Sequence, residues 1–266
     1  MVLAVENWQF TLTGALIGLL VGVTGMGGGS LMTPVLVLVF DFNVIVAVGT
    51  DILHGAIFKT IGAWRHRVLG HVHARLTFWL ALGSVPASLA GVYVVELLKD
   101  HYGEGVNDVS ANILGYALMV GGLGFFARAL VHKKPAEDRP YRLTRRDRVF
   151  AVLIGLFGGF VLGLTSVGSG TFFGLMMLLL FPLSASKIVG TDIFHAAILL
   201  WAAGLAHLSA GNVDLHATAW LALGSVPGIL VGSQLTIRMP DRAIRFALAI
   251  VLFLSGLKLA EVIPGF

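Results

Sequence analysis

Two short blocks of the chain carry the residues best suited to chemistry. Val48-Gly-Thr-Asp-Ile-Leu-His54 and Val189-Gly-Thr-Asp-Ile-Phe-His195 each place an acid and a histidine three residues apart. On a helix that spacing puts both side chains on one face. Asp51, His54, Asp192 and His195 all stand in apolar surroundings. An acid held in hydrocarbon is costly and marks a functional place. A histidine beside it titrates near neutrality. Together they suit proton coupling or gating. A second option is open for Asp51 and Asp192. Gly-Thr-Asp ahead of an apolar run also fits a helix N-cap, which would leave His54 and His195 as the proton-handling groups. Lys59 has no equivalent in the second block's neighbourhood, where Leu200 stands. It either pairs with an acid, attracts an anion, or snorkels to an interface.

A second pair of blocks suggests what is bound. Thr24-Gly-Met-Gly-Gly-Gly-Ser30 and Thr165-Ser-Val-Gly-Ser-Gly-Thr171 share one design. Glycines let backbone N–H groups approach a ligand closely, and Ser30 or Thr171 follows as an N-cap of the next helix. A helix N-terminus carries about half a positive charge, so two of them facing one cavity suit a small anion. The substrate-binding candidates are Thr24, Gly25, Met26, Gly27, Gly28, Gly29, Ser30, Thr165, Ser166, Gly168, Ser169, Gly170 and Thr171. The bland alternative is that the glycines serve only close helix packing. Neither tract is a Walker loop, since no lysine follows, nor a dinucleotide fingerprint, since no strand precedes it. His66, His71, His73 and His207 are assigned to loops, and their spacing matches no metal-ligand set. No cofactor and no metal are expected.

The elements that position these groups follow from charge. The chain has 266 residues, 57% hydrophobic and 12% charged, against roughly 25% charged in a soluble domain. Between Glu6 and Asp41, Arg75 and Glu96, Asp108 and Arg128, Arg148 and Lys187, Asp192 and Asp214, and Asp214 and Arg238 there is no Asp, Glu, Lys or Arg. Each gap approaches the roughly 20 residues a helix needs to cross a bilayer. Runs such as Leu175–Leu180 do not alternate in polarity, which excludes a β-barrel. The chain reads as an all-α polytopic membrane protein with the lipid bilayer as its surroundings. The absence of cysteine excludes disulfides and thiolate chemistry. The N-terminus lacks the basic start of a cleaved signal peptide and is expected to stay in the mature protein.

The chain is also a duplication. At an offset of 141, Gly22–Gly91 aligns with Gly163–Gly232 without a gap, and 28 of the 70 positions are identical. Residues Arg128–Arg148 hold eight Lys/Arg against three acids, and such short basic loops stay cytoplasmic. That surplus explains the high pI without any nucleic-acid partner. The loop near Arg65–Arg75 is basic and its partner Leu205–His216 is not. The loop Asp100–Asp108 is acidic and its counterpart Arg238–Arg245 is basic. Opposite sidedness predicts two inverted-topology repeats, the alternative being a parallel duplication with four crossings per half. The expected organisation is a first transmembrane repeat (1–131), a basic cytoplasmic linker (132–148) and a second repeat (149–266), with both termini outside. Apolar segments are predicted at 10–24, 30–40, 45–64, 76–98 and 111–131, and at 149–165, 171–181, 187–205, 217–237 and 243–260. The first two in each half are short and meet at a Gly-rich tract, as a broken or re-entrant helix pair does. Pro86 and Pro227 are expected to kink their helices.

The Gly-Met-Gly-Gly-Gly tract, the Val-Gly-Thr-Asp block and the Gly-Ser-Val-Pro block (83–86 and 224–227), ordered and duplicated, resemble the sulfite exporter TauE/SafE family, also called the toluene-sulfonate uptake permease family. The resemblance covers nearly the whole chain. It implies a secondary transporter of small anions, often sulfur-containing ones such as sulfite, sulfoacetate or other organosulfonates. It implies a bacterial or archaeal cytoplasmic membrane and no enzymatic activity. In this chain Ser166 and Ser169 replace two glycines of the first tract. The alternatives are a passive anion channel or a membrane-embedded enzyme using the Asp/His pairs as acids and bases. Oligomeric state is open, a homodimer among the options.

Overall fold

The computed structural model describes residues 6–24, 29–130, 141–235 and 241–260. Its helices are α1 (Asn7–Thr24), α2 (Gly29–Leu38), α3 (Val44–Val68), α4 (Ala74–Tyr102), α5 (Val106–Leu130), α6 (Arg145–Thr165), α7 (Phe172–Leu180), α8 (Ala185–Ser209), α9 (Leu215–Leu235) and α10 (Asp241–Leu259). A single 3-10 turn at Gly103–Gly105 joins α4 to α5. No strand occurs among the described residues. Five helical segments are long and apolar enough to cross a membrane, one of them holding both α4 and α5. Large apolar side chains such as Leu16, Phe78, Leu123, Phe157 and Leu223 lie exposed, while Asp51, Lys59 and Arg128 are buried. This inside-out distribution is that of a protein whose solvent is lipid.

The long helices run past the apolar segments seen in the sequence. α3, α5 and α8 have 25 residues each, about 37 Å at 1.5 Å per residue. α3 keeps Arg65, His66 and Arg67 in its last turn, where cations meet the negative helix end. His66 and His207 therefore lie in α3 and α8 and not in loops. Asn43 caps α3 by accepting the Ile45 N–H, and α8 follows Ser184. Asp51 and Asp192 are thus two turns inside their helices, and the capping option fails for both.

The duplication is visible in packing. α1 lies along α9, and α6 along α4, each pair parallel: Gly14 and Gly18 meet the backbone of Leu221 and Ser225, and the equivalent Gly155 and Gly159 meet Leu80 and Ser84. Equivalent helices pack antiparallel. In α3 and α8, Gly55 meets Leu200 and Gly62 meets Ile193; in α5 and α10, Gly115 meets Ala260 and Gly122 meets Ala249. Smaller contacts obey the same offset of 141. The Asp214 N–H donates to Thr50 Oγ1 at 2.9 Å and the His73 N–H donates to Thr191 Oγ1 at 3.0 Å. Gly49 abuts the Asn212 carbonyl and Gly190 the His71 carbonyl. Residue i meeting j while the equivalent of i meets the equivalent of j is an isologous contact, made within one chain. Small residues at these crossings let backbones touch, the main means of association where lipid removes any hydrophobic drive.

Each half opens with a short hairpin. α2 has 10 residues and α7 has 9, about 15 Å or less. The Phe10 ring lies 4.9 Å from Phe40 and 6.0 Å from Phe42, so the chain leaving α2 returns to the start of α1. In the second half Phe172 stacks on Phe157 at 5.4 Å. Only the second member of each expected pair is short: α1 has 18 residues and α6 has 21, the latter long enough to cross a membrane by itself. Pro86 and Pro227 sit inside α4 and α9. Arg128, counted from sequence among the basic surplus around the linker, is a buried residue of α5. At the far end of the linker, Thr144 and Asp147 form a capping box on α6.

Candidate functional site

Two histidine–serine clasps tie the halves together. His54 Nε2 lies 2.8 Å from Ser225 Oγ in α9, and the equivalent His195 Nε2 lies 2.8 Å from Ser84 Oγ in α4. Each ring also packs on a phenylalanine, His54 on Phe58 at 5.0 Å and His195 on Phe173 at 4.6 Å. Both Nδ1 atoms are buried without a hydrogen-bond partner. The serines belong to the duplicated Gly-Ser-Val-Pro block, so one repeated motif supplies the partner of the other.

The second-half tip, residues 165–171, sits at the centre. Its turn uses positive φ at Ser166 (62°), Gly168 (131°) and Gly170 (89°). The glycines tolerate this backbone freely, while Ser166 carries the strain that a side chain brings there. Three first-half residues hold this tip. Asp51 Oδ2 accepts from Ser166 Oγ at 2.7 Å, Lys59 Nζ donates to Ser169 Oγ at 2.6 Å, and Arg128 Nη1 donates to the Gly170 carbonyl at 2.9 Å. Asp51 Oδ2 also accepts from Thr33 Oγ1 of α2 at 2.5 Å. Lys59 is 2% exposed, so it does not snorkel. Buried ions persist only where charges and hydrogen bonds compensate them.

Asp192 is handled differently. It accepts the Gly170 N–H and stands in the fields of Lys59 and Arg128. Arg128 reaches it across Gly174. A Cβ at that position would collide with Arg128 Nη1 and lie 3.2 Å from Asp192 Oδ2. Gly174 is the equivalent of Thr33. One carboxylate therefore meets a threonine hydroxyl, and its duplicate meets a guanidinium in the space the missing side chain leaves. Asp51 Oδ1 and Asp192 Oδ1 are both buried without a hydrogen-bond partner.

The structure gathers Ser166, Ser169, Gly170, Asp51 and Asp192 around two cations. Thr165 Oγ1 is engaged within α6, donating to Val161 and accepting the Val167 N–H. His54 and His195 face serines, away from these carboxylates' hydrogen bonds. Thr171 precedes α7 but makes no capping bond, contrary to expectation, because its backbone is already helical (φ −96°, ψ −70°). Gly29 and Ser30 open α2. Gly25, Met26, Gly27, Gly28 and the side chains of Thr24 and Ser30 lie outside the described residues. Among the described residues no three His, Cys, Asp or Glu gather as a metal site.

Five contributors escaped the sequence reading. Arg128 was masked by its position beside a basic linker. Thr33, Ser84 and Ser225 are ordinary small polar residues in apolar helices. Gly174 acts through what it lacks, and the one signal for it was the Thr33-to-Gly174 difference within an otherwise aligned duplication.

The comparisons agree with this architecture. The probable membrane transporter protein YjnA of Bacillus subtilis (strain 168) is 38% identical over 249 residues, covering 93% of this chain and 97% of the relative. YdhB, a probable membrane transporter protein of the same organism, is 23% identical over 92% of this chain and 96% of its own length. The probable membrane transporter protein MJ0441 of Methanocaldococcus jannaschii is 25% identical over 60% of this chain and 57% of the relative. The family described as sulfite exporter TauE/SafE matches residues 10–259. This chain, an integral membrane protein built from a duplicated helical unit, belongs to the sulfite exporter TauE/SafE family.

Proposed function

We propose that the protein is a secondary transporter of small anions, in particular sulfur oxyanions such as sulfite and organosulfonates, with its site between two inverted repeats and with proton coupling. The observation that carries this reading is the buried cluster at the second-half tip, where Lys59 and Arg128 meet tip oxygens beside Asp51 and Asp192. Two cations in a low-dielectric interior suit an anion, and two carboxylates supply places for protons. The Asp/His pairs Asp51–His54 and Asp192–His195 are the proton-coupling and gating groups. The tip backbone and the first tract, Thr24–Ser30, complete the substrate site.

The antiparallel packing of equivalent helices supports the inverted arrangement. If α3 and α8 both cross the bilayer, their opposite directions put the relating axis in the membrane plane. The basic linker then faces the cytoplasm and both termini face outside. Cysteines placed singly at the equivalent exposed positions Val68 and Ser209 test this. An impermeant thiol reagent labels one from outside and the other from inside; labelling of both from one side restores the parallel duplication.

Counterflow in proteoliposomes tests the function. Labelled sulfite or sulfoacetate is expected to exchange across the membrane with saturation and with a rate that depends on pH. Conversion of the substrate without exchange would favour an enzyme, and flux without saturation or pH dependence a channel.

A further inference from the structure

We infer that Arg128 and Lys59 are the groups that bind the substrate anion, and that Asp192 is an internal anion competing with the substrate for Arg128. This deepens the transporter reading and rests on it. Four observations carry it. Both cations are buried, at 6% and 2% exposure. Both bind oxygens of one short segment, Ser169 Oγ and the Gly170 carbonyl, so the tip presents two adjacent oxygens where an oxyanion would present its own. Both come from the first half, and Leu200 stands at the equivalent of Lys59. The room for Arg128 beside Asp192 exists only because Gly174 replaces the threonine of the other half.

The receptor is therefore one-sided in a two-sided scaffold. A guanidinium and an ammonium suit an oxyanion with at least two oxygens, the guanidinium through paired N–H donors. The groups facing Asp192 are Arg128 from α5, Lys59 from α3 and the Gly170 N–H of the tip. α7 offers it only Gly174, and on its own helix His195 is turned to Ser84 of α4. When a substrate takes Arg128, Asp192 loses one of its two cationic neighbours in a buried place. A buried carboxylate without compensation takes a proton, so each anion bound at Arg128 brings one proton to Asp192.

Calorimetric titration of the full-length protein in detergent tests this with sulfite and with sulfoacetate, whose charge is constant between pH 6 and pH 8. Wild type is expected to bind more weakly at pH 8. Asp192→Asn is expected to bind at pH 8 at least as tightly as wild type at pH 6, with the pH dependence reduced; an unfolded variant cannot gain affinity in this way. Arg128→Gln and Lys59→Gln are each expected to lose about 10- to 100-fold in affinity, the range for one charge-assisted hydrogen bond. Wild-type affinity in both cation variants, or weaker binding with unchanged pH dependence in Asp192→Asn, overturns the inference. If wild type exchanges the labelled anion in counterflow while these variants bind as wild type, only this assignment falls. If wild type exchanges neither probe, the transporter reading itself falls.

Discussion

Asp51 and Asp192 began as copies of one residue and now sit in different chemistry. Asp51 takes hydroxyl hydrogen bonds from Thr33 and Ser166. Asp192 takes a backbone N–H and stands beside a guanidinium. The scaffold around them has hardly diverged. The histidine–serine clasps match at 2.8 Å in both halves, and the threonine-to-loop bonds match within 0.1 Å (2.9 and 3.0 Å). The contrast separates two demands on one duplicated unit. Helix packing and interlock must stay reciprocal for the halves to fit each other. Charge at the centre needs no reciprocity under the proposed function, in which one receptor serves both sides of a membrane.

The strongest way to break the contrast is to convert the second half into the first. Gly174→Thr restores the threonine found at position 33 and drives Arg128 off Asp192. The added side chain takes the place of Arg128 Nη1, one of the two cations of the proposed site, so transport is expected to fall about 10- to 100-fold. Counterflow measures this, with thermal stability as the control. Thr33→Gly is expected to leave transport within about 10-fold, because one hydroxyl hydrogen bond to Asp51 is lost while that from Ser166 remains. Equal losses from the two substitutions would mean that the carboxylates are chemically equivalent after all.

The reciprocal scaffold predicts the opposite pattern, equal damage. Gly83 and Gly224 are equivalent, and each faces a backbone carbonyl of the neighbouring helix, Val152 and Thr11 respectively. Valine at either position must push rigid backbone aside, an overpacking effect of about 3 kcal/mol. Both variants should unfold at similarly lowered temperatures. Gly124, with no atom within 4 Å of a built Cβ, provides the neutral comparison. A large difference between Gly83→Val and Gly224→Val would show that the two crossings do not share their load.

How much of this could be read in advance depended on whether a signal repeats. The ten helical segments followed from charge-free gaps, because burial in lipid forbids charge over a fixed length. The second-half tip followed from a glycine tract that the sequence places twice. The capping question for Asp51 and Asp192 was not decidable from local pattern. Gly-Thr-Asp fits a cap, and only the extension of α3 back to Asn43 and of α8 back to Ser184 moved the acids inside. His66 and His207 were misplaced for the same reason, since helices outlast their apolar runs. The cations were harder still. Arg128 lies outside the aligned stretch and Lys59 stands opposite Leu200, so the comparison of halves that exposed the acids did not point to them.

The histidine clasps allow a finer comparison. His54→Ala and His195→Ala each remove a buried hydrogen bond and a ring packed on phenylalanine. Each is expected to lower stability by about 1–3 kcal/mol and to shift the pH dependence of transport. Since the clasps are duplicates, the two losses should agree closely. An unchanged pH profile in both variants would remove the histidines from proton handling and leave it to the carboxylates.

The smallest effect lies where the halves differ outside the membrane core. α6 starts with a capping box in which Thr144 Oγ1 accepts the Asp147 N–H at 3.2 Å and Asp147 Oδ2 accepts the Thr144 N–H at 2.7 Å. The Tyr141 hydroxyl donates to the same carboxylate at 2.7 Å. The equivalent helix α1 starts with half of that pattern, the Glu6 N–H donating to Gln9 Oε1 at 2.9 Å. Thr144→Ala should cost about 1 kcal/mol, the usual worth of such a cap. The loss should show as faster amide exchange in the first turn of α6 while the tip at 165–171, twenty residues away along the helix, keeps its protection. If the tip loosens together with the cap, then α6 transmits the state of the linker end to the proposed site, and the two halves differ in regulation as well as in charge.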